Sequence, residues 1–305
     1  MIELILDPFQ LFDIPLAKWV KSGLRWLVDN YRPFFQSIKM PIMSMLRGFE
    51  WFLKSVPPTV MVLGIALGAW QLAGWRLALG SVFTMTTIGI LGIWSKSMTT
   101  LSIVFTAVVI CIAIGIPLGI LAARNARFNS IMRPILDAMQ TIPAFVYLVP
   151  VVMLFGIGNV SGVLVTIVFA VPPLIRLTNL GIRQVPSEVV EAAFAFGASP
   201  RQTLFKVQIP LALRTIMTGV NQTLMMALSM AVIASMIAVG GLGQMVLRGI
   251  GRLDMGLATL GGLGIVLLAI LLDRITQSMA PQQRYSSSGA WYNRGPVGII
   301  RRLIR

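Results

Sequence analysis

The chain has 305 residues, of which 56% are hydrophobic and only 11% charged, and its mean hydropathy is +0.84. A soluble domain carries roughly a quarter charged residues, so this composition describes an integral membrane protein and excludes a water-soluble one. The net charge of +15 comes with no histidine and one cysteine, Cys111, which leaves no internal disulfide and none of the usual zinc or haem ligand sets. The basic residues are spread over loops flanking apolar stretches, so their charge belongs to orientation and anionic headgroups rather than to nucleic acid.

Residues 1–54 form a tail whose seven basic and five acidic residues nearly balance. Glu3, Asp7 and Asp13 interrupt any apolar core of a cleavable signal. Over 16–29, Leu16, Trp19, Val20, Leu24 and Leu27 share one helical face against Lys18, Lys21, Arg25 and Asp29, the pattern of an interfacial helix. Phe35, Ile38, Ile42, Met45, Phe49 and Phe52 make a second stripe, which Pro41 is expected to bend. Together they predict a collar on the membrane surface; a sensor or docking segment is the alternative.

Stretches free of Asp, Glu, Lys and Arg then run over 55–75, 77–95, 97–123, 138–175, 215–247 and 255–272. A helical span needs about 20 apolar residues, and 138–175 holds two spans divided by the turn sequence at 156–162, so the expectation is about seven transmembrane helices. The shortest, near 257–272, must borrow length from its flanks. Lys and Arg crowd the loops at Arg76, Arg124–Arg133 and Arg176–Arg214 and the C-terminal tail, against Lys96, Arg248 and Arg252 opposite. The positive-inside rule makes the crowded side cytoplasmic; an odd number of spans then leaves the N-terminus outside and the C-terminus inside.

Between the fifth and sixth spans lies a polar segment, Glu188 to Pro210, reading EVVEAAFAFGASPRQTLFKVQIP. Ser187 is a plausible N-cap with Glu188 and Glu191 in the first turns, Gly197 breaks the helix, and Ser199 caps a second helix with Pro200 at its first position. Pro210 is expected to close the segment. Phe194, Phe196, Leu204 and Phe205 would offer apolar knobs to a soluble partner, with Glu191, Arg201 and Lys206 setting register. The alternative is an amphipathic loop whose aromatics pack on its own helices.

No Asp, Glu, Lys, Arg or His lies in 138–175 or 215–247, which argues against an ion-coupled carrier. A pathway would be lined by neutral groups: Gln140, Thr141 and Tyr147 on the fourth span, and Asn221, Gln222, Met225, Ser229 and Ser235 on the sixth. Ordinary packing explains isolated serines and methionines equally well. Gly240-Gly241-Leu242-Gly243 and Gly261-Gly262-Leu263-Gly264 follow no strand, so they read as sites of close helix approach, as do Gly64-x-x-x-Gly68 and Gly115-x-x-x-Gly119. No G-x-x-x-x-G-K-[ST] loop and no nucleophile–base set is present, so the chain is not expected to be an enzyme.

Glu191-Ala192-Ala193, Gly197 and Val207-Gln208-Ile209-Pro210 resemble the EAA loop of binding-protein-dependent ABC transporter permeases, with Val207 for isoleucine and Ile209 for leucine. Leu136 to Pro150, Val151 to Asn159 and Met230 to Gly256 look like the permease subunit of ProU-type glycine betaine/proline betaine importers, as do Leu6 to Phe12 and Trp291-Tyr292. The resemblance implies an all-α permease of the type I importer arrangement in the bacterial inner membrane. It divides into an N-terminal tail (1–54), two peripheral helices (55–95), a five-helix core (97–275) with its coupling loop at 182–214, and a basic tail (276–305). The implied partners are a second permease copy, two copies of a cytoplasmic ATPase that bind the ATP and magnesium, an extracytoplasmic solute-binding protein and membrane lipid. Glu191, Ala192, Ala193, Gly197, Ser199, Arg201 and Pro210 would carry the coupling. An ATP-independent osmolyte carrier or channel is the rival reading; the EAA spacing argues for the ATPase.

Overall fold

The computed structural model describes residues 15–279, and every regular element among them is helical. The expectations on Leu6 to Phe12, Trp291-Tyr292 and the basic tail beyond 279 lie outside the described residues.

Besides a 3-10 turn at Ala144–Tyr147, eleven helices follow in order among the described residues: α1 Leu16–Ser55, α2 Pro58–Ala73, α3 Trp75–Ile90, α4 Trp94–Arg124, α5 Ala126–Thr141, α6 Leu148–Phe155, α7 Asn159–Arg183, α8 Ser187–Ala195, α9 Pro200–Ile237, α10 Leu242–Arg252 and α11 Met255–Met279. Four of them, α4, α7, α9 and α11, are long and apolar enough to cross a membrane, and the count reaches six if each of two bent pairs, α1 with α2 and α5 with α6, forms one span. This differs from the seven spans expected from the six charge-free stretches. Pro57-Pro58 and Gly74 (φ 95°) limit α2 and α3 to 16 residues each, about 24 Å at 1.5 Å per residue, short of a hydrocarbon core of about 30 Å. The expected fourth span is also broken: α5 and α6 meet at 100° across Pro143. By contrast, α11 gains the expected length from its flank, running past Leu272 to Met279.

The centre of the bundle is α7, packed between α4 and α9. Lipid supplies no hydrophobic drive between helices, so association there depends on close backbone approach and polar contacts. At Gly119 of α4 an added Cβ would lie 2.5 Å from Thr178 Cβ of α7, which only glycine permits. Gly64 and Gly68 do not fit this pattern; nothing lies within 4 Å of either.

The tail helix α1 divides in two. Its first half is exposed, Leu16, Trp19, Val20 and Trp26 included. The second half is not a surface collar: Ile42, Leu46 and Leu53 are buried, Phe49 packs on Phe105 of α4, Phe35 meets Phe155 of α6 edge-on, and Lys39 Nζ donates to the Phe155 carbonyl at 2.7 Å. The backbone leaves helical angles at Tyr31 (φ −116°, ψ 17°), not at Pro41. Pro33 removes an N–H and its ring crowds the carbonyl four residues earlier, which places the kink just before it.

The C-terminal end of α9 passes through Gly240-Gly241 into α10. Asn159 Oδ1 accepts from the Gly240 N–H at 3.0 Å, and Thr100 Oγ1 from the Leu242 N–H at 2.9 Å. Gly243 sits so tightly on α9 that a Cβ would fall 2.0 Å from the Ala231 carbonyl oxygen. Overpacking against backbone cannot be relieved by a rotamer change. Gly243→Ala is therefore expected to destabilise the detergent-solubilised protein by about 3 kcal/mol or more. At Gly262 nothing lies within 4 Å, and Gly262→Ala should keep or slightly raise the melting midpoint. Thermal unfolding of the two variants against wild type measures the contrast.

Candidate functional site

The polar segment after α7 folds as two helices joined by a tight turn. Pro186 (φ −54°, ψ 133°) occupies the N-cap position of α8, and its carbonyl accepts from Val189 N–H at 3.2 Å. Ser187 is thus the first helical residue and makes no capping bond, a correction that follows from the fixed φ of the proline ahead of it. Glu188 lies in the first turn, where the helix dipole favours it. The end of α8 is a Schellman turn: Gly197 N–H donates to Phe194 O at 2.9 Å and Ala198 N–H to Ala193 O at 3.0 Å, with Gly197 at φ 80°.

Helix α9 begins with a full capping box. Ser199 Oγ accepts from Gln202 N–H at 3.3 Å, while Gln202 Oε1 accepts from Ser199 N–H at 2.8 Å. Pro200 stands at the first helical position. The helix then continues without a stop into the apolar stretch 215–247, the sixth expected span, for 38 residues in all. Pro210 does not close the segment. A single π turn over Leu204–Gln208, in which the Ile209 N–H reaches back to the Leu204 carbonyl, precedes it. The wider turn accommodates a residue that has no N–H to donate.

Exposure sorts the predicted contact residues. Phe196 is 93% exposed and Phe205 64%, and Glu191, Arg201 and Lys206 also face outward. Leu204 does not: it is buried among Ile182, Ala212 and Ile216, so it ties the arm to the bundle rather than offering a knob. Ala192 is exposed and Ala193 half-buried on α8. Beneath the arm a 440 Å³ cavity opens between α8 and the ends of α4 and α7, with Arg124, Arg183, Glu191 and Gln208 on its walls. Arg183 is held in place by Asn179 Oδ1 and the Ala122 carbonyl at 2.8 and 2.9 Å.

The pathway candidates fall into three groups. Gln140, Thr141 and Tyr147 gather at the bend between α5 and α6, where the Tyr147 hydroxyl donates to the Met139 carbonyl at 3.2 Å and the ring packs near Val165 of α7 and Met230 of α9. Gln222, Met225 and Ser229 form one exposed stripe on α9, as i, i+3 and i+7 spacing requires. Asn221 and Ser235 leave that stripe. Ser235 is buried and bonds the Val232 carbonyl. Asn221 turns toward α11, its Nδ2 donating to Asp273 Oδ1 at 2.8 Å. Sequence reasoning missed Asp273 and the Arg176–Asp137 pair, whose 2.6 Å contact joins α5 to α7. Asp137 just precedes a charge-free stretch and Asp273 just follows one, and that position was the available signal.

The turn at Gly197 carries a direct test. A β-branched residue is strained at positive φ, whereas asparagine tolerates it. In the detergent-solubilised protein, a protease should cut between 187 and 203 faster in Gly197→Val than in wild type, and at close to the wild-type rate in Gly197→Asn. Equal rates in all three would show that the turn does not depend on this residue.

Residues 115–285 match the family described as the binding-protein-dependent transport system inner membrane component. The chain is 59% identical over 298 residues to the glycine betaine/proline betaine transport system permease protein ProW of Escherichia coli (strain K12), covering 98% of this chain and 84% of that one. It is 44% identical over 269 residues to the glycine betaine/carnitine transport permease protein GbuB of Listeria monocytogenes serotype 1/2a (strain 10403S), covering 87% and 95% respectively. Among solved structures it shares its fold with the MetNI methionine ABC transporter in inward facing conformations, with a TM-score of 0.56 and 23% identity over 62% of this chain and 96% of that one.

Proposed function

The chain belongs to the family of binding-protein-dependent transport system inner membrane components, and from that premise we propose that it is the permease of an ATP-driven importer of glycine betaine, proline betaine and related compatible solutes, acting in osmoprotection. The observation that carries the substrate class is the 59% identity along nearly the whole chain to a permease of that named specificity. In this reading two permease copies bind two ATPase subunits and receive solute from an extracytoplasmic binding protein. The α8 arm faces the cytoplasm. In the same reading the second half of α1, which packs near Thr99, Phe105 and Phe155 at the end of the bundle away from the arm, stands on the extracytoplasmic side.

The chain hydrolyses nothing itself; ATP and magnesium act on the partner. ATPase closure pushes on the exposed face of α8, carrying Glu191, Ala192 and Ala193, and on Arg201 at the start of α9. Because α9 runs from Ser199 into the span as one helix, a displacement at the arm reaches Gln222, Met225 and Ser229, the proposed wall of the pathway along with Gln140, Thr141 and Tyr147. A ligand shifts an equilibrium only through its difference in affinity between two states, so direction comes from ATP and the binding protein selecting opposite conformers. The permease itself binds solute weakly.

Reconstitution with the ATPase and binding protein tests the reading: betaine uptake should require ATP, and uptake that proceeds without it overturns the assignment. Two variants test the residues. Glu191 is exposed and makes no ion pair among the described residues, so Glu191→Lys should leave the fold intact while weakening ATPase co-purification at least tenfold, about 1.4 kcal/mol. Undiminished co-purification would remove Glu191 from the docking surface. Ser229→Lys should assemble normally and abolish uptake, and a cysteine there should react with a hydrophilic thiol reagent in a nucleotide-dependent way. Loss of accumulation together with an unreactive cysteine would place Ser229 in packed core or lipid.

A further inference from the structure

Asp273 is the one acidic residue on the four long apolar helices, and no cation pairs with it among the described residues. Amides hold it instead. Its Oδ1 accepts from Asn221 Nδ2 of α9 at 2.8 Å and from Gln277 Nε2 of its own helix at 2.7 Å. The Thr276 hydroxyl donates to Asn221 Oδ1 at 2.5 Å. Both ends of the Asn221 amide are thereby used, and since a carboxylate only accepts, the amide has one sensible orientation. Asp273, Thr276 and Asn221 are half-buried. Asn221 lies seven residues beyond Arg214, about 10 Å farther along the helix.

The position of this cluster matters more than its strength. Asn221 shares one unbroken helix with the capped arm start at Ser199, whereas Asp273 and Thr276 sit on α11, whose other face is locked to α10 by glycines; at Gly249 an added Cβ would lie 2.5 Å from the Ala258 backbone nitrogen. Val220 and Leu224 of α9 and Leu268 and Leu272 of α11 belong to one buried apolar core, whose dispersion contacts are far less directional than a hydrogen bond. Resting on the transport reading above, we propose that Asn221 and Asp273 are a positioning pair that fastens α9 to α11 inside the span, so that the stroke received by the arm moves α11 together with α9.

A charge swap separates this role from simple packing. Asn221→Asp sets two carboxylates against each other, Asp273→Asn keeps an acceptor oxygen in place, and the double variant restores an amide–carboxylate pair with its ends reversed. In proteoliposomes with the ATPase and binding protein, betaine taken up per ATP hydrolysed should fall at least fivefold in Asn221→Asp, stay within twofold of wild type in Asp273→Asn, and return to within twofold in the double variant. Asn221→Ala, which adds no charge, should show the same fall if Asn221→Asp does not accumulate in the membrane. Wild-type ratios in Asn221→Asp or Asn221→Ala, or a double variant no better than Asn221→Asp, would overturn the pair. Absence of ATP-driven uptake by the wild type would overturn the transport reading, and this proposal with it.

Discussion

A helix in hydrocarbon must satisfy its own backbone, because each unpaired amide there costs several kcal/mol. The same hydrogen-bonded ladder makes it stiff. Running α9 from the capped Ser199 to Ile237 uses both properties: the part that reaches out of the bundle and the part that crosses it are one body. The vulnerable point is Pro210, which removes a donor near the apolar boundary. The π turn at Leu204–Gln208 takes up that loss, and the buried Leu204 holds the turn against Ile182 of α7 and Ile216 of α9. The remaining packing assumes this continuity, since α7 presses along α9 on one side and α11 on another.

Features set by neighbouring residues in the chain were legible. Gly197, Ser199 and Pro200 obey short-range rules of helix ends, and each does in the fold what its residue type suggests. Pro210 was misread because a proline after a polar segment usually stops a helix, and a π turn leaves no compositional mark. Counting charge-free residues measures apolarity, not helix length, so Pro57-Pro58, Gly74 and Pro143 could divide apolar runs into pieces too short to span. Asn221 shows a different limit. A polar residue on an apolar helix indicates that it avoids lipid, but whether it faces a cavity or another helix depends on a partner 52 residues away.

The polar contacts between helices stand at particular depths. At the end far from the arm, Asn159 and Thr100 hold the backbone that leaves α9, fastening it to α7 and α4. Nearer the arm, Asn221 holds α9 to α11, while Arg183 binds the end of α4 and Asn179 meets Asn129 of α5. Between these levels the contacts are small and aliphatic, with glycines at the closest approaches. Dispersion is nearly indifferent to a small slide, whereas a hydrogen bond weakens steeply with angle. A stroke entering at α8 would therefore leave α9 at two levels, to α11 near the arm and to α4 and α7 at the far end. Those helices would then turn relative to one another, with the exposed stripe of Gln222, Met225 and Ser229 lying between the two levels.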